Sequence, residues 1–316
     1  MTAPFAHPEL IWPDLAARIE RAHAVHARNG QTGQDPAAPD HAIEAALDDA
    51  RAEGNPVLSR VPSIVNVSAR DALDEAFLTA ERLFGESGVP VPDSGDFALA
   101  GLNLTALGAT WAASRGAGQG SDTLLTPVLA AHGLGAAWWR ARFAALRADS
   151  AIEDNPLRAT GNDSGDGDGL TLAPDVIAGF RVFDAVPEGA RTGAVPVVLG
   201  SRASARDSSD RSIGEVEWTL RLIPSGPTPV HVNLNHRAGG AEHPTLPEML
   251  ALQAGRILQG EPPVDQGVFT WLAGTIGDGR IAARAMWDAS IGVVRVSCRE
   301  IGNQGSYLGV RPPVSA

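Results

Sequence analysis

The residues best placed to do chemistry lie in the run His231, Val232, Asn233, Leu234, Asn235, His236, with His243 seven positions further on. On a strand, alternate side chains share a face, so His231, Asn233 and Asn235 project together, away from Val232 and Leu234. His236 follows where Gly239 and Gly240 turn the chain, and the loop can return His243 toward the others. Three imidazoles suit zinc, copper, iron or nickel, and Glu242 could add a carboxylate. The spacing matches no standard ligand motif, and a polar strand face followed by loop histidines explains the same residues without a metal. A metal-dependent enzyme using His231, His236 and His243, with Asn233 or Glu242 assisting, is therefore the alternative reading rather than the leading one.

Other candidates have a plainer explanation beside the chemical one. Asp163, Asp166 and Asp168 could hold calcium, which takes several oxygen ligands, but they lack the full calcium-loop spacing and Ile177 stands where the closing glutamate belongs. An acidic linker accounts for them. Gly116, Gly118 and Gly120 precede Ser121, and a helix N-terminus there could cradle a phosphate. No strand is expected before it, and the spacing departs from the dinucleotide fingerprint, so a loop is the reading. His132 reads as a satisfied core or surface histidine on a helix beside a glycine break. Cys298 alternates with polar residues on an expected strand and reads as a buried structural thiol.

Several mechanisms are excluded outright. The single cysteine permits no intrachain disulfide and no cysteine-based zinc or iron–sulfur centre. All 25 lysine-plus-arginine residues are arginine, a usage typical of a GC-rich bacterial genome. Without lysine there is no Schiff base, no pyridoxal-phosphate site, no ordinary Walker A loop and no kinase-type ATP site. No Gly-x-Ser-x-Gly elbow occurs. The net charge of −12, with arginines scattered among acids, offers no basic face for nucleic acid or an anionic membrane. The first residues lack the basic start and apolar run of a signal peptide, and no apolar stretch is long enough to span a bilayer. The expected location is cytoplasmic, with no cofactor unless the divalent metal is real.

The elements that must position these residues divide by period. Helices are expected over 14–30 and 40–54, and a capping box at Ser68 to Asp71 opens a third, carrying Leu73, Phe77, Ala80 and Phe84 and closed by Gly85. Residues 97–113 fit helix or strand. A strong helix is expected over 121–148, kinked near Gly133 and Gly135, with Trp139, Phe143 and Leu146 on one face. Trp138 and Trp139 sit about 100° apart on it, so one can face the core and the other a partner. They are the candidate interface residues. The Gly/Asp-rich run 160–169 is the clearest composition break, giving a helical region 1–159, a linker 160–169 and a β-rich region 170–316.

Beyond that break, 176–186 and 195–199 read as strands. Glu215 to Leu222 alternates strictly, placing Val216, Trp218, Leu220 and Leu222 on one face of a half-buried strand. Thr245 to Glu248 forms a second capping box, starting a helix to about Gln259. Phe269 to Thr275 and Arg280 to Trp287 flank Gly277, Asp278 and Gly279 as a hairpin, followed by the Cys298 strand. The fold class is α+β: a helix-rich N-terminal half packed with a mostly antiparallel C-terminal sheet.

The segment Phe269 to Gly274, the strand to Trp287, Arg299, and the ending Asn303 to Pro312 resemble the close of C-type-lectin-like domains of the formylglycine-generating-enzyme kind. The layout is also similar to actinobacterial domains of unknown function. The likeness covers roughly the last 75 to 90 residues. It implies a compact α+β module whose loops bind something. It carries no oxidising chemistry, because that chemistry needs a cysteine pair. The leading expectation is a non-catalytic binding or scaffolding protein, engaging a protein partner or a second copy. A virion or secretion-apparatus component is a further alternative.

Overall fold

The computed structural model describes residues 67–115, 124–158, 168–199, 215–231 and 238–315. Contacts divide the chain at Val67, and Ser68–Ala316 forms one unit. The helices expected over 14–30 and 40–54 lie outside the described residues.

The unit begins with α1 (Val67–Leu83), whose buried Leu73, Ala76, Ala80 and Leu83 recur at helical spacing. Two short helices follow. In α2 (Ser94–Leu99), Asp93 and Asp96 form a reciprocal capping box. In α3 (Leu104–Ser114), Asn103 caps by accepting from the Ala106 N–H at 2.9 Å. Residues 97–113, ambiguous in sequence, are thus helical around a short connection.

The expected helix over 121–148 is corrected. Its first part is a strand, β1 (Leu125–His132), and only α4 (Gly135–Ala148) is helical. Alanine and leucine favour helix as isolated residues, but β1 pairs along its whole length with a later strand, and tertiary pairing overrides that weak preference. Pro127 is tolerated because β1 is an edge strand. Gly133 turns the chain into α4 at φ 98°, where a Cβ would sit 3.0 Å from the Glu215 carbonyl oxygen.

The strand expected over 176–186 is corrected too. After β2 (Leu170–Leu172) come α5 (Pro174–Ala178) and α6 (Phe180–Phe183). Pro174 suits the first helical turn, and buried Val176, Phe180 and Phe183 follow helical spacing. Valines suggested a strand; the proline and that spacing decide for helix.

The remaining strands are β3 (Val195–Val198), β4 (Glu215–Pro224) and β5 (Val230–His231). Then come α7 (Leu246–Leu258), β6 (Phe269–Ile276), β7 (Ile281–Asp288), β8 (Val293–Glu300) and β9 (Leu308–Val310). One sheet has the order β1-β4-β3 and is antiparallel. The other has the order β2-β8-β7-β6-β9-β5 and is mixed, with parallel pairs at β2–β8 and β6–β9. The α+β class holds, with strands concentrated C-terminally. The expected hairpin and the Cys298 strand form as β6, β7 and β8. The run 160–169 lies inside the single unit Ser68–Ala316, and β1 pairs with β4 across it.

Between the sheets lies α7. All of its residues except Arg256 are buried, and it meets β1, β6, β7 and α4. This burial corrects the half-buried reading of β4. Residues 218–223 are buried on both faces, because the side carrying Thr219 and Arg221 is turned toward α7. On the opposite side, Trp218 meets Phe84 edge-on at 4.8 Å, and Phe84 also meets Trp139 at 5.7 Å and stacks on Trp138 at 5.4 Å. Phe84 is fully buried and joins three aromatic rings from α4 and β4. Replacing Phe84 with Ala is expected to cost about 3–5 kcal/mol, read as a lowered urea midpoint with quenching changes in Trp fluorescence.

Candidate functional site

Two places in the unit concentrate polar chemistry: a buried network at the N-terminus of α7 and an open cleft between α1, α3, β1 and α7.

The buried network starts from the capping box. Thr245 caps α7 by accepting from the Glu248 N–H, and Glu248 Oε2 accepts from the Thr245 N–H at 2.8 Å. A carboxylate in the first helical turn is favoured by the helix dipole. Burial at 0% exposure would still be prohibitive without a partner. Arg221 of β4 supplies it, with Nε donating to Glu248 Oε1 at 2.7 Å and Nη2 to Oε2. This fork, with the Thr245 N–H, holds the Glu248 carboxyl below its ordinary range despite its burial.

Thr219 carries the network to β1. Its hydroxyl lies 3.1 Å from Glu248 Oε1 and 3.1 Å from His132 Nε2. On the other side of the ring, Nδ1 is 2.7 Å from the Asp184 carbonyl oxygen. Burial pushes the His132 pKa down, so the neutral ring donates from Nδ1 to that carbonyl. A threonine hydroxyl has one hydrogen, so Thr219 donates either to His132 or to Glu248, not to both. Asp184 completes the group: Oδ2 accepts from the Gly133 N–H at 2.9 Å, while Oδ1 is buried without a hydrogen bond, 4.0 Å from His132 Nδ1. Burial pushes its carboxyl pKa up to about 7.

A threonine hydroxyl, an imidazole and carboxylates in one chain have the residue types of a nucleophilic site. The geometry does not serve that use. Thr219 is 1% exposed and His132 3%, so no substrate reaches the hydroxyl. A second buried pair is equally closed. Arg311 donates to Asp265 Oδ1 from Nε at 3.0 Å, while Nη1 and Nη2 donate to the Pro224 and Gly226 carbonyls at 2.7 and 2.8 Å. Thr270 donates to Asp265 Oδ2 at 2.8 Å. This pair ties the end of β4 to β9.

The cleft has a volume of about 680 Å³. Its walls alternate apolar residues, among them Ala76, Leu83, Leu129 and Leu252, with polar ones, and the two kinds share the surface about equally. Most of its polar groups are already paired: Gln259 donates to Glu75 and Thr79 at 3.2 Å each, Thr126 to Ser225 at 2.7 Å, and Arg256 meets Glu261 at 2.9 Å. Arg115 is different. It is exposed on the rim, its guanidinium 4.7 Å over the Trp111 ring.

The residues singled out by sequence fall as follows. His231 lies on the short strand β5, opposite Gly309 of β9; its side chain, and all of His236, lie outside the described residues. His243 is fully buried in the turn before α7, where its backbone carbonyl accepts from Arg221 Nη2 at 3.4 Å. No group of three or more His, Cys, Asp or Glu suited to a metal occurs among the described residues. Of the two candidate interface tryptophans, Trp139 faces the core at 0% exposure. Trp138 is half-buried and stacked on Phe84. Cys298 is half-buried rather than buried, with its thiol pKa pushed up to about 11 by desolvation, so it is a poor nucleophile. His132 is a satisfied core histidine, on a strand rather than a helix. The run 116–121, Asp163 and Asp166 lie outside the described residues, and no helix among the described residues is long and apolar enough to cross a membrane.

Sequence reasoning missed Arg221, Glu248, Asp184, Asp265 and Arg311 as a class. One signal was present: Thr219 and Arg221 are polar positions set between the apolar Trp218, Leu220 and Leu222 of β4, and the capping glutamate follows downstream. No family model matches the chain, and no curated protein or solved structure matches it.

Two outcomes check the network. Glu248→Gln leaves the Arg221 guanidinium buried without its counter-charge and is expected to cost about 3–5 kcal/mol. The double variant Arg221→Met with Glu248→Leu should recover much of that loss in chemical denaturation. For Asp184, the folded-state pKa of about 7 lies above the unfolded value near 4. The folded protein therefore binds the extra proton between those pH values. This contribution is full below about pH 4 and is lost as pH rises toward 7. Asp184→Asn should remove that part of the decline, read as a smaller difference in urea midpoint between pH 5 and pH 7.5 than in the wild type.

Proposed function

We propose that this chain is a non-catalytic binding protein, and that the cleft between α1, α3, β1 and α7 receives a small amphiphilic organic anion. One observation carries the reading. The buried His132–Thr219–Glu248 network is sealed from solvent, and the carboxylates that line the sizeable cleft, Glu75 and Glu261, are engaged by Gln259 and Arg256. The cleft volume falls within the ordinary range for small-molecule sites, about 300–1,000 Å³. The apolar half of its wall suits a hydrocarbon or aromatic body, and the Arg115–Trp111 pair on the rim suits an anionic end. The likeness of the C-terminal segment to modules that bind through their loops agrees with a binding role. The cytoplasm is the location we propose for it.

The test uses 8-anilinonaphthalene-1-sulfonate, an aromatic anion of suitable size, with the folded protein at neutral pH. Saturable fluorescence enhancement is expected. Ala72→Trp, which fills the cleft from α1, should weaken it about tenfold, and Arg115→Gln about fivefold. No enhancement with the wild type, or unchanged enhancement in Ala72→Trp, would remove the cleft from consideration.

A further inference from the structure

Three arginines are buried among the described residues: Arg221, Arg284 and Arg311. Two of them are neutralised by buried carboxylates, Glu248 and Asp265. Arg284 is not. It is 6% exposed, and no carboxylate among the described residues pairs with it. Its Nε donates to Ser297 Oγ at 3.3 Å, while Nη1 is buried with no hydrogen-bond partner. Its charge rests against aromatic faces, 3.8 Å from the Phe269 ring centre and 5.9 Å from that of Tyr307.

The strand register adds a second cation. Arg284 of β7 lies opposite Ser297 of β8, and Arg299 lies opposite Ala282. Arg299 is therefore the diagonal neighbour of Arg284 on the same face, with backbones roughly 7–8 Å apart. Arg299 is exposed, and its charge adds to burial in disfavouring the Arg284 cation. A chain of net charge −12 thus gathers two arginines where no acid offsets the inner one. Leaving a buried cation uncompensated is costly, and cation–π attraction offsets only part of the cost. Such an arrangement is relieved by a ligand that brings the missing negative charge.

We propose that Arg284 and Arg299, with Ser297 beside them, form a binding site for a small oxyanion, a phosphate or a carboxylate group. The planar guanidinium of Arg284 presents a free Nη1 N–H to one oxygen, and Arg299 covers the charge from solvent. Tyr307 forms the outer wall. It is 43% exposed, and its hydroxyl donates to Asn303 at 3.1 Å. It stands at the end of the loop 301–307, beside Arg284, and a ligand reaching the buried Nη1 would have to displace its ring. This site lies on the second sheet, among residues distinct from those lining the cleft proposed above, and does not depend on that reading.

The experiment compares thermal midpoints in chloride, in inorganic phosphate and in acetate at matched ionic strength, for wild type, Arg284→Met and Arg299→Gln. In chloride, Arg284→Met should match or exceed the wild type, because methionine keeps the apolar stem and removes the uncompensated charge. Phosphate at roughly ten times its Kd should raise the wild-type midpoint by about 3 °C. That rise should vanish in Arg284→Met and need about fivefold more phosphate in Arg299→Gln. A response to acetate as well marks a carboxylate-accepting site; a response to phosphate alone marks a phosphate site. The proposal is overturned if Arg284→Met is strongly destabilised in chloride, which would make the guanidinium a structural cation–π partner. It is also overturned if both variants keep the full phosphate response, as general salt stabilisation would produce, or if neither anion moves the wild type.

Discussion

The architecture depends on keeping one carboxylate charged where there is no water. Glu248 caps α7, the helix enclosed between two sheets, and it is itself fully enclosed. Its counter-charge is Arg221, which belongs to β4, the central strand of the other layer. The ion pair therefore fixes the rotation and the height of α7 against that sheet in a way apolar packing alone would not. Arg311 and Asp265 repeat the device at the far end of β4, gripping the Pro224 and Gly226 carbonyls while holding β9. Between them, the two pairs fasten β4 to the helix and to the second sheet.

This scheme explains why the polar chemistry of the chain is inward-facing. The network His132, Thr219, Glu248 and Arg221 has the residue types of a reactive centre but no opening. Its members satisfy each other across β1, β4 and α7. The surfaces left for recognition are those where polar groups are not consumed in this way: the rim of the cleft at Arg115 and the face bearing Arg284 and Arg299.

The legible parts of the fold were those governed by local rules. The Thr245–Glu248 capping box marked the start of α7, and the Gly277–Gly279 turn with its flanking apolar runs marked the β6–β7 hairpin. Both are set by hydrogen bonds and backbone geometry within a few residues. The illegible parts were set by distant partners. Leu125–His132 is a strand because β4 pairs with it, although its alanines favour helix. Within the segment 176–186 the chain is helical as far as Phe183, because Pro174 starts it and its apolar residues meet the core at helical spacing, although its valines favour strand. The polar positions Thr219 and Arg221 looked solvent-facing because alternation reports one buried face, and nothing nearby in sequence shows that α7 covers the other. For the same reason the buried ion pairs were not visible: 27 residues separate Arg221 from Glu248, and 46 separate Asp265 from Arg311.

The sheet order has a kinetic meaning. Among the described strands, the β6–β7–β8 meander and the β3–β4 pair join neighbours in sequence; β1 must find β4, β2 must find β8 in parallel register, and Leu222 must meet Val314. Each of those closures spends loop entropy before its contacts return any stabilisation. The meander can form early as a local nucleus, but α7 gains its second wall only after distant segments have docked. The slow event in assembling this protein is thus the late meeting of its two layers, during which the apolar sides of α7 stand exposed to neighbouring molecules.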